Sequence, residues 1–154
     1  MKRLFICFLC LILCFSLFPC HSSAEEAGFD NDTVYLIVFE DGSFCITTMT
    51  ILNLEFSESK STITGIKEEK FYNSNGVLQF SVSVKGTFTY NGTTATATNA
   101  KCGYTIYDSS WSFYNGFSSC SGATATATCT FSFSAGGHRT ESASLTCSPS
   151  GVLS

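Results

Sequence analysis

The alternation of apolar and polar residues between Val77 and Thr98 is the feature that most constrains the fold. Every second side chain is apolar over the first half of this stretch, which is the period of a β-strand with one buried face. The apolar positions are Leu78, Phe80, Val82, Val84, Phe88 and Tyr90. Asn91-Gly92 follows and predicts a two-residue type I′ hairpin turn, because both residues tolerate positive φ. The resulting pairs are Tyr90 with Thr93, Phe88 with Ala95, and Gly86 with Ala97.

Shorter runs of the same kind fill most of the remaining chain. Val34 to Phe39 is a continuous apolar run, typical of a strand buried on both faces. Residues 62–72 carry four consecutive charges, which predict an edge strand that is kept from further pairing. The alternation lapses at residues 99–101, where we expect a bulge or a change of sheet. Further strands are predicted at residues 44–51, 104–107, 111–117 and 123–134.

The last hairpin is constrained by parity. Odd-numbered residues are the apolar ones on both sides of Gly136-Gly137, so a two-residue turn there would pair inward with outward side chains. A connection of three residues, or a bulge, is therefore predicted. It would pair Phe133 with Glu141, Phe131 with Ala143, and Cys129 with Leu145.

The strand pattern predicts the fold class. Turn residues recur between about eight strands, only 2 prolines occur, and Ser and Thr occupy the outward positions. We expect an all-β fold, a single antiparallel β-sandwich of the immunoglobulin-like kind with about 7–9 strands, because two stacked sheets bury each other's apolar faces. A small β-barrel is the alternative.

The N-terminus has the pattern of a secretory signal peptide. Lys2 and Arg3 precede an apolar run of about 15 residues, too short to span a membrane comfortably, and small residues end at Ala24. The predicted organisation is a signal peptide at residues 1–24, a flexible acidic arm at 25–33 and the β-sandwich domain at 34–154. Acylation of Cys20, as in a lipoprotein, is the alternative to cleavage after Ala24. The expected product is extracellular and has no membrane span.

The charge that remains after cleavage limits the partners. Loss of Lys2 and Arg3 leaves 6 basic against 12 acidic residues, a formal charge of −6. Nucleic acids and anionic membranes bind clustered Lys and Arg, so neither is expected as a partner.

Five of the 9 cysteines remain after cleavage, and in an exported protein they are disulfide candidates. Their odd number leaves at least one thiol free or paired between molecules. No two of them have the close spacing of zinc ligands, so no metal site is expected. They are Cys45, Cys102, Cys120, Cys129 and Cys147.

The residues needed for catalysis are sparse. A nucleophilic hydrolase needs a base beside its nucleophile, and His138, in a Gly-rich turn, is the one histidine after Ala24. No Gly-x-Ser-x-Gly elbow is present. Nothing places two of the carboxylates across a cleft as a glycosidase requires. We therefore expect no enzyme and no cofactor. The carboxylates considered are Glu55, Glu68, Glu69, Asp108 and Glu141.

An aromatic stripe is the sharpest functional lead. Trp111, Phe113 and Phe117 alternate along one strand and so share one face. With a two-residue turn at Ser121-Gly122 the rings would lie on the wet face, as a platform for sugar rings or a partner protein. A one-residue change in that loop would make the same rings part of the core, which burial of large apolar side chains favours.

Three motifs resemble a family of small secreted β-proteins of Gram-positive bacteria. They are Gly-Thr-Phe-Thr-Tyr-Asn-Gly at residues 86–92, the Ala-Thr repeat at 123–128, and Leu-Thr-Cys-Ser-Pro-Ser-Gly-Val-Leu-Ser at 145–154. The resemblance covers roughly residues 39–154. It implies a disulfide between Cys102 and Cys147, while Cys45, Cys120 and Cys129 depart from the family pattern. It implies no activity, ligand or catalytic residue.

These observations favour a secreted, non-catalytic module that binds an extracellular glycan or protein. A bacteriocin-like toxin or a structural envelope-associated protein is the alternative, although such toxins are often cationic. A hydrolase is the remote alternative.

Overall fold

The computed structural model describes residues 33–57 and 59–154, so the predicted signal peptide and nearly all of the predicted arm lie outside the described residues. The described part consists of eight strands, and it contains no helix that is long and apolar enough to cross a membrane. The strands are β1 (Thr33–Val38), β2 (Phe44–Glu55), β3 (Ser61–Tyr72), β4 (Leu78–Tyr90), β5 (Ala95–Ile106), β6 (Trp111–Ser121), β7 (Thr124–Phe133) and β8 (His138–Thr146).

The strands form two antiparallel sheets. One has five strands in the order β1-β2-β3-β4-β5 and the other has three in the order β6-β7-β8. The all-β sandwich with eight strands is thereby confirmed, and the sheets do not close into the alternative small barrel. Every neighbour in a sheet is also a neighbour in sequence, so each sheet is a meander. Immunoglobulin domains differ in this respect, since their Greek-key connections interleave strands between the sheets.

The core lies between β4 of the wider sheet and β7 of the narrower one. The inward residues of β4 are large and those of β7 are mostly small, so the two faces interdigitate. At one end the ring of Phe131 stacks on the ring of Phe80, with 4.2 Å between their centroids. The fully buried members are Phe80, Val82, Val84, Phe88, Ala125, Ala127, Cys129, Phe131, Ala143 and Leu145.

The predicted positions of two strands within the sheet are wrong: the strand predicted to be buried on both faces lies at the edge, and the strand predicted to lie at the edge is central. The apolar run in β1 is the sheet edge, with the five side chains at residues 34–38 between 52% and 64% exposed. The charged strand β3 is central, paired with both β2 and β4. The three-stranded sheet packs over β3, β4 and β5 but does not extend over β1. Position relative to the second sheet decides burial here, and a strand's own composition does not reveal it.

The central hairpin has a longer loop than predicted. Tyr90 pairs with Ala95, so residues 91–94 form a four-residue loop. The Oδ1 atom of Asn91 accepts hydrogen bonds from the backbone N–H groups of Thr93 and Thr94, at 3.0 and 2.8 Å. The N–H of Gly92 donates to the C-terminal segment at the carbonyl of residue 149. Next to the loop the register is displaced by two residues, and because two is even, the buried faces there are as predicted; the predicted pair of Gly86 with Ala97 is wrong, since Gly86 lies opposite Ala100.

A bulge follows in β5. Phe88 pairs with Ala97 and Thr87 pairs with Asn99, which leaves Thr98 without a partner in the ladder. The Thr98 hydroxyl donates to the carbonyl oxygen of Thr87 at 3.1 Å. The extra residue reverses the parity of β5, so its even-numbered residues face the core beyond this point. The bulge lies one residue before the predicted lapse.

The parity argument for the last hairpin holds, although its register differs. The N–H of Phe133 donates to the carbonyl of Gly137, which encloses a three-residue loop at residues 134–136. Phe131 therefore lies opposite Arg139 instead of Ala143, and Cys129 lies opposite Glu141. The predicted loop length of three residues is right, but the prediction placed the loop two residues too far along the chain.

Candidate functional site

The outer face of the three-stranded sheet carries a regular array of hydroxyl groups, which we call the hydroxyl ladder. The even-numbered residues of β7 point outward, and each side chain meets its partner on β8 at hydrogen-bond distance. Because Thr is β-branched and suits strands, the same sequence favours the strand and forms the ladder. The rungs are Thr124 with Thr146 at 3.0 Å, Thr126 with Ser144 at 3.1 Å, Thr128 with Ser142 at 2.8 Å, Thr130 with Thr140 at 2.9 Å, and Ser132 with His138 Nδ1 at 3.0 Å.

A bulge in β6 decides which aromatic rings join this face. Phe113 pairs with Phe131 and Asn115 pairs with Thr130, so Tyr114 is the extra residue. On one side of the bulge odd-numbered residues of β6 face the core, and on the other side they face outward. The stripe that alternation alone predicts is therefore divided: its first two rings turn inward, and Phe117, opposite Thr128, turns outward.

Trp111 packs against the edge of the core, and Phe113 lies beside it on the same face of the sheet. The Trp111 ring lies 5.0 Å from the ring of Phe80, and its Nε1–H donates to Oε1 of Gln79 at 2.9 Å. The Phe113 ring stacks on Tyr104 with 4.0 Å between centroids. Trp111 thus packs against the core, Phe113 remains 37% exposed beside Tyr104, and both rings lie on the opposite face of the sheet from Phe117.

Tyr114 and Phe117 are the exposed rings of the outer face, and each is 63% exposed. The Tyr114 ring lies 4.8 Å from the ring of His138, which is the end of the hydroxyl ladder. Strict alternation along the strand would place Tyr114 on the opposite side from Phe117, because a period-2 pattern carries no sign of where a bulge falls. The site is therefore the ladder flanked by these two rings.

This face is electrically neutral. The sequence between Asp108 and Arg139 has no Lys, Arg, Asp or Glu, and the outward residues of β8 are Ser, Thr and His. The two charged residues of β8 occupy inward positions: Nε of Arg139 lies 2.5 Å from Oε1 of Glu141. The Arg139 guanidinium also lies over the ring of Phe71, 5.1 Å from its centroid. A ligand of the outer face would meet dipoles and rings but no formal charge.

A group of partly buried charges lies on the inner side, where the wider sheet extends past the narrower one. Burial raises the pKa of the Glu69 carboxyl, an effect that Lys67 opposes and Glu141 reinforces. Burial likewise raises the pKa of the Cys45 thiol, to about 11, with Glu69 acting in the same direction. Sequence reasoning considered Glu69 and Glu141 as carboxylates without finding anything to place them together. Arg139 neutralises one of them, and the arrangement offers no free carboxylate pair.

Replacement of Glu69 by Gln is expected to stabilise the fold at neutral pH. A carboxyl whose pKa is higher in the folded than in the unfolded state binds more protons when folded, so wild-type stability increases as pH falls through the folded-state pKa. The variant lacks this titrating group, so its increase in stability as pH falls should be smaller than that of the wild type. Urea unfolding at neutral and mildly acidic pH measures both effects.

Glu68→Gln is the matched control, since it removes the same charge from the opposite face of β3, where Glu68 pairs with Lys70 at 3.5 Å. Only the Glu69 variant should show this smaller increase in stability as pH falls. An unchanged pH profile in Glu69→Gln would contradict the assignment.

Cys102 and Cys147, the pair whose disulfide the resemblance implies, do not lie together. The Sγ atom of Cys102 lies 2.7 Å from Sγ of Cys129. Cys147 follows the end of β8, six residues beyond the Glu141 that faces Cys129, which is about 20 Å along an extended strand. Its thiol donates to the carbonyl of Ser148 at 3.3 Å. A bridge between Cys102 and Cys147 does not fit this register.

A metal site would need several ligating side chains close together. Within residues 33–57 and 59–154, no group of three or more His, Cys, Asp or Glu side chains could hold a metal ion. His138, in the turn region, is exposed.

Comparison of the chain with models of protein families, with curated proteins and with solved structures finds no match.

Proposed function

We propose that this protein is an exported, non-catalytic module that binds a neutral polysaccharide on the outer face of its three-stranded sheet. The observation that carries the proposal is the hydroxyl ladder flanked by the exposed rings of Tyr114 and Phe117. Sugars present apolar ring faces and hydroxyl groups, and this surface offers the complement of both.

The ladder retains hydrogen-bonding capacity although its members bond to one another. A hydroxyl has one donor and two acceptor lone pairs, so each pair uses one donor and one lone pair and leaves the rest for a ligand. The mutual bonds hold the side chains in one rotamer before binding, which lowers the entropy lost on association.

The repeat of the ladder favours a polymer over a small ligand. Outward side chains recur every second residue, about 6.7 Å apart along a strand, and strands lie about 4.8 Å apart. A chain of similar units can contact several rungs at once, whereas a single sugar would cover one or two. Absence of formal charge on the face favours an uncharged chain, and binding should change little with salt.

Replacement of Phe117 by Ala is expected to weaken polysaccharide binding about tenfold, because covering an exposed Phe ring contributes about 1.5 kcal/mol or more. Co-sedimentation with insoluble cellulose and chitin, together with affinity electrophoresis in soluble mannan, measures the binding. Heparin serves as the anionic comparator. Tyr114→Ala should lower binding in the same direction.

Phe56→Ala is the matched control, since Phe56 is 75% exposed but lies in the loop between β2 and β3. Its affinity should equal that of the wild type. Equal binding by Phe117→Ala, or retention on heparin alone, would contradict the proposal. Growth inhibition of neighbouring bacteria by a protein that binds no polysaccharide would support the bacteriocin-like alternative instead.

A further inference from the structure

Two thiols meet in the middle of the sandwich. Cys102 lies on β5 opposite Val84, and Cys129 lies on β7 opposite Gly116. Both point into the space between the sheets, where their sulfur atoms lie 2.7 Å apart. This separation is shorter than an ordinary contact between two non-bonded sulfur atoms.

The surroundings favour this pair over any other. Cys129 is fully buried and Cys102 is half-buried, so one member can meet a reagent while the other cannot. Cys45 is buried on β2, a strand at the far side of the wider sheet from β5. Cys147 lies beyond the end of β8, and Cys120 is exposed on β6.

We propose that Cys102 and Cys129 form a disulfide that links the two sheets. The oxidant is a disulfide compound of the kind found in extracellular environments, and oxidised glutathione takes its place in the experiment. The Cys102 thiolate attacks the oxidant and releases one thiol, which leaves a mixed disulfide on Cys102. The Cys129 thiolate then attacks the Cys102 sulfur and releases the second thiol. The protein loses two protons and two electrons, and the oxidant's disulfide becomes two thiols.

The environment makes the second step pH-dependent. Burial, together with the hydrogen bond with Cys102 and the charge of that thiol, raises the pKa of the Cys129 thiol to about 12. Thiolate is the attacking species, so in the folded protein ring closure should accelerate as pH rises. Once closed, the bridge constrains residues that are 27 apart in sequence, which lowers the entropy of the unfolded chain.

Differential thiol labelling of the full chain carrying Cys120→Ser tests the bridge. The protein is refolded with oxidised and reduced glutathione, its free thiols are alkylated with one reagent, and the thiols released by reduction are alkylated with a second. Chymotrypsin can then separate Cys102 from Cys129 by cleaving at the aromatic residues between them. We expect both residues to carry the second label, and their peptides to be linked before reduction.

Thermal unfolding supplies an independent measurement. Oxidation should raise the Tm by about 10 °C, as expected for a loop of this length in a domain of this size. Cys120→Ser should retain that shift and Cys102→Ser should lose it. First-reagent labelling of both Cys102 and Cys129, or linkage of Cys102 to any other cysteine, would overturn the proposal, and neither result depends on how a core variant folds.

Discussion

Replacement of Phe131 by Ala is expected to lower the free energy of unfolding by about 4 kcal/mol, the cost typical of emptying a buried Phe site. Phe131 is fully buried and stacks on Phe80, and its edge contacts the rings of Tyr104 and Phe113 at centroid distances of 6.2 Å. The rings of both sheets meet at this point, so removing the Phe131 ring takes a packing partner away from Phe80, Tyr104 and Phe113 at once. Denaturant unfolding of the purified variant measures the loss.

Phe117→Ala is the matched control, because it removes the same ring from the other face of the same sheet. Its stability should lie within about 0.5 kcal/mol of the wild type, as for surface substitutions generally. The two variants therefore separate stability from binding: one should unfold easily, and the other should lose polysaccharide. Similar stability losses in both would mean that the faces of the sheet are assigned wrongly.

Replacement of Gly86 by Ala is expected to cost about 3 kcal/mol, the upper end of the range for overpacking a core. A Cβ atom at Gly86 would lie 2.7 Å from the ring of Phe88 and 3.1 Å from Cβ of Ala125. Neither neighbour can move far, because the Phe88 ring is fully buried and Ala125 belongs to the opposing sheet. The position requires Gly for space and not for backbone conformation.

A double-mutant cycle with Phe88→Leu checks this explanation. The smaller side chain should relieve the clash, so the double variant should be more stable than the sum of the two single losses predicts. Additive losses would show that Gly86 is required for some reason other than the Phe88 ring. Urea unfolding of the four proteins in the cycle provides the numbers.

The faces of the strands could be predicted from the sequence, whereas their registers could not. Alternation identifies Phe80, Val82 and Phe131 as inward residues, and all three are buried. Turn lengths depend on local hydrogen bonds such as those of the Asn91 side chain, which a type I′ turn signal does not anticipate. Next to the hairpin loops at residues 91–94 and 134–136 the registers are displaced by two and by four residues respectively, which keeps the predicted faces, whereas each bulge adds one residue and reverses the face beyond it.

Bulges are the main reason that the candidate site was only partly predicted. Thr98 and Tyr114 each add one residue to a strand; the lapse in alternation at residues 99–101 indicated the first bulge to within one residue, but nothing in the sequence indicated the second. The bulge at Tyr114 assigned Trp111 to the core edge and kept Phe117 on the surface. Alternation left open whether the whole stripe faces the core or the solvent. In the structure Trp111 and Phe113 face inward and Phe117 faces outward.

Sheet order was the other unpredictable feature, since it depends on contacts between distant segments. The four charges of β3 suggested an edge, but at the inner surface Glu69 lies beside Lys67, and on the outer surface Glu68 pairs with Lys70. A central strand can carry such residues wherever the opposing sheet does not cover it. Charge alone is therefore a weak guide to strand order.

The unequal widths of the two sheets give the molecule a hierarchy of local stability. β1 is joined to the rest mainly by its ladder with β2, and its side chains gain little from burial. It is therefore the strand that costs least to detach, at a free energy well below that of global unfolding. Its departure would leave the Phe80–Phe131 stack and the hydroxyl ladder intact, so the proposed binding face does not depend on this edge being closed.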